Sequence, residues 1–207
     1  MAAVPRFFII ALSAVLLSAA PCPAVAGDGA GGGDRDGQLR ARVEELAAEL
    51  ADTANSYGPD ALTVQVLLLM ESMKAGALAP SEVEVVGPSP DLGPGHLRIR
   101  VDTGIIFEAG AVAVEDSDRR VWDTVARPVL ARLESARFEP AGLELLLVYG
   151  LQDSGRTSGD LDPTEPFTPR GFALGFTASV LDELIAGRLA PDDLFAAGSP
   201  RGLPGVD

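Results

Sequence analysis

The sequence has one cysteine, Cys22, and one histidine, His96. A lone cysteine excludes an internal disulfide framework and a Cys-rich zinc site. A lone histidine leaves no cluster for a metal and no Ser/His/Asp triad. His96 sits in a Pro/Gly turn and reads as a surface residue rather than a general base. Lysine is nearly missing as well. Lys74 is the exception among 16 basic residues, the rest being arginine, and with 23 Gly and 16 Pro this is the usage of a GC-rich bacterial genome. Positive charge is in short supply: 16 Lys and Arg against 30 Asp and Glu give a formal charge of −14. A nucleic-acid backbone or an anionic membrane surface would repel such a chain. No Gly-rich phosphate loop follows a strand, so nucleotide chemistry has no support. What remains is an ordinary globular balance, 47% hydrophobic and 22% charged over 207 residues, enough for one domain with tails.

The longest apolar run is at the N-terminus. Arg6 precedes an apolar stretch from Phe7 to Ala20, then come Pro21, Cys22, Pro23 and the small residues Ala24, Val25 and Ala26. That is the plan of a secretory signal peptide over residues 1–26, cleaved after Ala26. The stretch is shorter than the roughly 20 residues of a spanning helix. A lipoprotein signal would have a small residue where Pro21 stands. Cleavage removes Cys22, and no later run reaches spanning length, so the expectation is a protein of the periplasm, or associated with the outer membrane, without a membrane span. Residues 27–37, mostly Gly and Asp, read as a flexible leader.

Residues 38–80 read as a helical segment. Leu39, Val43, Leu46, Leu50 and Ala54 recur at three- and four-residue steps between Gln38 and Asn55, an amphipathic helix with Asp36 as its cap. Gly58 and Pro59 break it, and the Leu and Met content of Asp60 to Met73 favours a second, buried helix. From residue 81 the texture changes. Val83, Val85 and Val86, a Pro/Gly turn, then Leu97, Ile99 and Val101 alternating with Arg98, Arg100 and Asp102 predict two neighbouring strands. Asp116 to Ser135 has helical spacing, kinked at Pro128. Leu143 to Val148 is a continuous apolar run, a strand buried on both faces. After a polar loop from Asp153 to Pro169, Phe172, Phe176, Val180, Leu181 and Leu184 predict a helix over Gly171 to Ala186. Leu194 to Ala197 is a last short strand. The fold class expected is α/β (α+β), a two-layer β-α-β-α-β sandwich with helices on a small mixed sheet, preceded by the helical segment.

Four landmarks in residues 81–207 stand in a shared order. Ile106, Phe107, Glu108, Ala109, Gly110 and Ala111 look like Phe, two variable residues, Gly and a small residue at the end of a first strand. Gly150 and Asp153, after the buried strand, match two members of a Gly, His, Thr, Asp motif, with Leu151 and Gln152 in place of the His and Thr. Phe167 and Thr168 lead to a basic residue, Arg170. Leu189 to Gly198, with Pro204 beyond, is similar to a closing Gly, Tyr, Gly, Glu, two variable residues, Pro segment. In this order they resemble the OmpA-like peptidoglycan-binding domain, over about 120 residues. The chain ends before that family's final strand, and the Val83 strand is a candidate to cover the edge so exposed.

The resemblance implies non-covalent binding of the diaminopimelate in a peptidoglycan stem peptide. That residue presents a carboxylate and an ammonium on one carbon, so a receptor needs a fixed anion and a guanidinium fork. Asp153 is the candidate for the first, Arg170 for the second, with Thr168 beside it. Strict alignment on Thr168 puts Gly171 on the family's Arg position, and Arg156 is a further candidate. An Asp before Ser154 and Gly155 is also a common turn residue. The other open alternative is an envelope protein-interaction module with a decayed sugar-peptide site, working through residues 38–73. Neither reading is an enzyme, and no cofactor or metal is expected. Asp102, Thr103 and Gly104 spell the aspartic-protease tripeptide but have no second copy. Asp160 and Asp162 lack the closing acid of a calcium loop.

Overall fold

The computed structural model describes residues 32–79, 81–90, 92, 95–132, 142–153, 161, 164–190 and 193–203. The expected signal peptide, Arg156, Asp160, Asp162 and Pro204 lie outside them. The chain divides into two compact units, Met1–Asp52 and Thr53–Asp207. The described part of the first is most of helix α1, Gly32–Tyr57, which runs on into the second and takes in the end of the Gly/Asp stretch. Along it Glu44, Glu45 and Glu49 are exposed and Leu50 is buried.

The second unit is a helix layer on one face of a five-stranded sheet. Helix α2, Pro59–Lys74, starts with Pro at its first position, where the missing donor is harmless. Strands β1, Glu82–Pro88, and β2, His96–Glu108, form an antiparallel pair. β1 thereby covers the outer edge of β2. Helix α3, Val114–Val121, continues through a π-turn at Trp122–Ala126 into α4, Arg127–Leu130. Pro128 cannot donate to the turn before it, and the extra residue of the π-turn lets the helix pass it. Strand β3, Gly142–Gln152, returns parallel to β2, and β4, Thr168–Thr177, pairs antiparallel with β3. Helix α5 is Ala178–Ile185, α6 is the single turn Leu194–Ala197, and β5, Arg201–Gly202, closes the sheet in the order β1-β2-β3-β4-β5.

Two expected elements are corrected. The helix predicted from Gly171 is a strand as far as Thr177, and only Ala178–Ile185 is helical. Phe172, Leu174 and Phe176 alternate on one face and are all buried. Gly171 and Gly175 weaken a helix but suit a strand that other side chains approach closely: Leu203 lies over Gly171 and Leu92 over Gly175. The strand predicted at Leu194 is a helical turn, because the Ala197 and Gly198 amides donate back to Asp193 and Leu194.

The helix face of the sheet carries the core. Val64 and Leu68 of α2, Val121, Trp122, Val125, Val129 and Leu130 of the α3 to α4 segment, Leu181 of α5 and Leu194 of α6 meet Ile99, Val101, Leu143, Leu145, Leu147, Tyr149, Phe172, Leu174 and Phe176. The other face carries a polar cluster. Its centre is the carboxylate of Glu144, which accepts from Ser89 Oγ and Arg98 Nε, both at 2.6 Å, and from Arg201 Nη2 at 3.1 Å. Glu144 is 1% exposed. Its partners come from the β1–β2 connection, β2 and β5, so one buried acid ties three segments to the central strand.

Candidate functional site

The carboxyl ends of β2 and β3 and the start of β4 come together at one edge of the second unit. Phe107 of β2 pairs with Leu151 of β3, and Leu151 with Thr168 of β4. One step inward Tyr149 pairs with Arg170. Paired residues share a face, and the Tyr149 hydroxyl donates to Asp118 Oδ1 of α3 at 2.9 Å, which identifies this as the helix face. Thr168 and Arg170 therefore lie on the same face, at the strand end from which Asp153 extends. All three are exposed.

The register also sets their spacing. Asp153 is four residues beyond Tyr149, the partner of Arg170, so the two are separated by roughly 13 Å along the strand at about 3.3 Å per residue. That is the limit of direct contact between an aspartate and a fully extended arginine. The Arg170 guanidinium enters no hydrogen bond or ion pair among the described residues.

Behind this edge is a short relay of polar and aromatic groups. Burial pushes the Asp118 carboxyl above its ordinary range; the Tyr149 hydroxyl bond pulls it back and the charge of Glu115 adds to the rise. Burial likewise raises the Tyr149 hydroxyl, helped by its bond to Asp118 and opposed by the charge of Arg170. Raised in this way, the Tyr149 hydroxyl keeps its proton and donates a hydrogen bond to Asp118. The Phe107 and Tyr149 rings meet edge to face with centroids 5.4 Å apart. These contacts hold the strand ends and α3 together.

Leu151 and Gln152 stand where the resembled motif has His and Thr. Leu151 packs against the core. Gln152 is buried and its Nε2 donates to the Glu165 carbonyl at 3.4 Å. Arg170 is on a strand, where the sequence had placed the approach to a helix. The pairing with Tyr149 was not foreseen, nor was Tyr149 itself, although a tyrosine inside an otherwise aliphatic strand is a local signal that could have pointed to it.

Other residues singled out earlier have structural roles. At Asp102, Thr103 and Gly104 the register between β2 and β3 shifts, a bulge. Thr103 Oγ1 donates to the Val148 carbonyl at 2.8 Å, and Gly104, at φ 64°, donates its amide to Asp102 Oδ1 at 3.3 Å. A Cβ on Gly104 would run into the Ala79 carbonyl. The tripeptide is a backbone device. His96 is half-buried rather than on the surface, its ring against Gly142. A cavity of about 280 Å³ beside it, lined by residues including Tyr57, Asp60 and Pro88, is at the opposite end of the parallel strands and is not lined by Asp153, Thr168 or Arg170. Of residues 38–73, expected as a partner surface, the α2 portion is committed to the core through Val64 and Leu68.

Among the described residues no group of His, Cys, Asp or Glu is placed to hold a metal ion, and no helix is long and apolar enough to cross a membrane. Compared with protein-family models, with curated proteins and with solved structures, the chain matches none.

Proposed function

We propose that this chain is an exported, non-enzymatic envelope protein that binds peptidoglycan non-covalently through a divergent OmpA-like domain. Asp153 receives the ammonium of a diaminopimelate side chain, Arg170 receives the carboxylate on the same carbon, and the Thr168 hydroxyl lies alongside. The observation that supports this reading most is Arg170: an exposed guanidinium without an ion pair among the described residues, in a chain of net charge −14, set by strand register beside the end from which Asp153 extends. An exposed arginine that meets no carboxylate among the described residues is available to an external anion. The spacing of the two groups favours a bridging zwitterion over a direct pair. The resemblance of the four sequence landmarks supplies the identity of the ligand.

The test is co-sedimentation of the protein with purified diaminopimelate-type peptidoglycan. Wild type is expected in the pellet, with Asp153→Ala and Arg170→Ala left in the supernatant and both variants folded. Equal retention of all three would remove the proposed site.

A further inference from the structure

A second guanidinium stands at the same edge. Arg120 of α3 is exposed, and its Cζ lies over the Phe107 ring, 5.5 Å from the centroid. Stacking uses the flat face of the group and leaves its N–H donors free around the rim. Those donors meet no side chain among the described residues. Its neighbour Arg119 differs, being paired with Asp123 at 3.1 Å. Arg120 and Arg170 thus flank the row formed by Phe107, Leu151 and Thr168, one above its β2 end and the other beside its β4 end. Adjacent strands are about 4.8 Å apart, so this row spans roughly 10 Å. Its middle is apolar: Leu151 is partly buried against the core and Phe107 is buried.

We infer that Arg120 is a second carboxylate-binding residue, and that the ligand has two acidic ends joined by a short hydrocarbon chain. This rests on the proposed reading of Asp153 and Arg170 and adds to it. Diaminopimelate has two amino-acid carbons separated by three methylenes. With one end between Asp153 and Arg170, the methylenes cross Leu151 and the carboxylate of the other end reaches Arg120. That second carboxylate is free only when diaminopimelate is the last residue of the stem. The protein therefore prefers stems that end in diaminopimelate to stems extended by a further amino acid, in which the carboxylate has become an amide.

Calorimetric titration of the full chain with two soluble muropeptides tests this, one ending in diaminopimelate and one extended by alanine. Wild type is expected to bind the first about tenfold more tightly, the value of one charge-assisted hydrogen-bonded contact. Arg120→Gln, whose thermal midpoint reports its folding, is expected to bind both alike, and Arg120→Lys to recover only part of the preference. Asp153→Ala is expected to lose both ligands. Equal wild-type affinity for the two ligands, with binding still dependent on Asp153, would overturn the role of Arg120 and leave the first site standing. A preference that survives in Arg120→Gln would do the same. Failure of wild type to bind either would remove both proposals.

Discussion

Glu144 is the residue that ties three segments to the central strand. Burial penalises its carboxylate, yet the hydrogen bonds from Arg98 and Ser89 and the charges of Arg98 and Arg201 hold it below the ordinary glutamate value of 4.5. A carboxyl depressed in the folded state stabilises the fold fully above its unfolded value, and that contribution is lost as pH falls through the folded value. Asp118 has the opposite sign. Its carboxyl is raised, so its contribution is present below the ordinary 3.8 and is lost as pH rises through the folded value. Urea titrations at stepped pH are expected to show stability falling below about pH 4.5, and Glu144→Gln is expected to lack this acid-dependent loss. At neutral pH, removing one member of a buried ion pair costs about 3–5 kcal/mol, the loss expected for Glu144→Ala from its urea midpoint. Gly104 is a second sensitive position. Its positive φ and the Ala79 carbonyl in the path of any Cβ predict that Gly104→Ala lowers stability by at least about 1–3 kcal/mol, measurable as a lower melting temperature.

Among the elements, α2 and β4 decide how far the fold can be dissected. Val64 and Leu68 of α2 are fully buried beneath the sheet. Deleting residues 59–74 is therefore expected to abolish cooperative thermal unfolding, and any partner lost with it would be lost through unfolding. β4 also explains the limits of what could be read from the chain. Phe172, Phe176 and Val180 are four apart, a spacing that fits a helix and equally fits every second residue on one face of a strand. Leu174, buried between the two phenylalanines, separates the possibilities only once the partner strand is known. The β1–β2 pair, the buried β3 and helix α2 were legible because each has a local period or a continuous apolar run. The bulge at Gly104 was not, because it answers to Ala79, a residue in another segment. The candidate site divides in the same way: Asp153 was visible from its place after a buried strand, whereas Tyr149 beside Arg170, and Arg120 above Phe107, are products of strand register and helix docking.

At the scale of the whole molecule, a chain of charge −14 places two arginines, Arg120 and Arg170, that form no ion pair among the described residues at the strand end that also carries Asp153. Binding an anion there works against the net charge, so affinity comes from local contacts and long-range attraction contributes little. Moderate salt is accordingly expected to weaken peptidoglycan retention only slightly, in contrast to the steep loss of a basic wall-binding protein, as read by co-sedimentation from low to physiological ionic strength. The most direct test is an NMR titration of the full-length, isotope-labelled protein with a stem peptide ending in diaminopimelate, alongside the same peptide acetylated on its side-chain ammonium. The expected result is a saturable shift of the Asp153, Thr168 and Arg170 amides with the free ammonium and none with the acetylated peptide. Identical shifts with both peptides, or shifts confined to other strands, would contradict a site in which one acid and one guanidinium hold a single zwitterion.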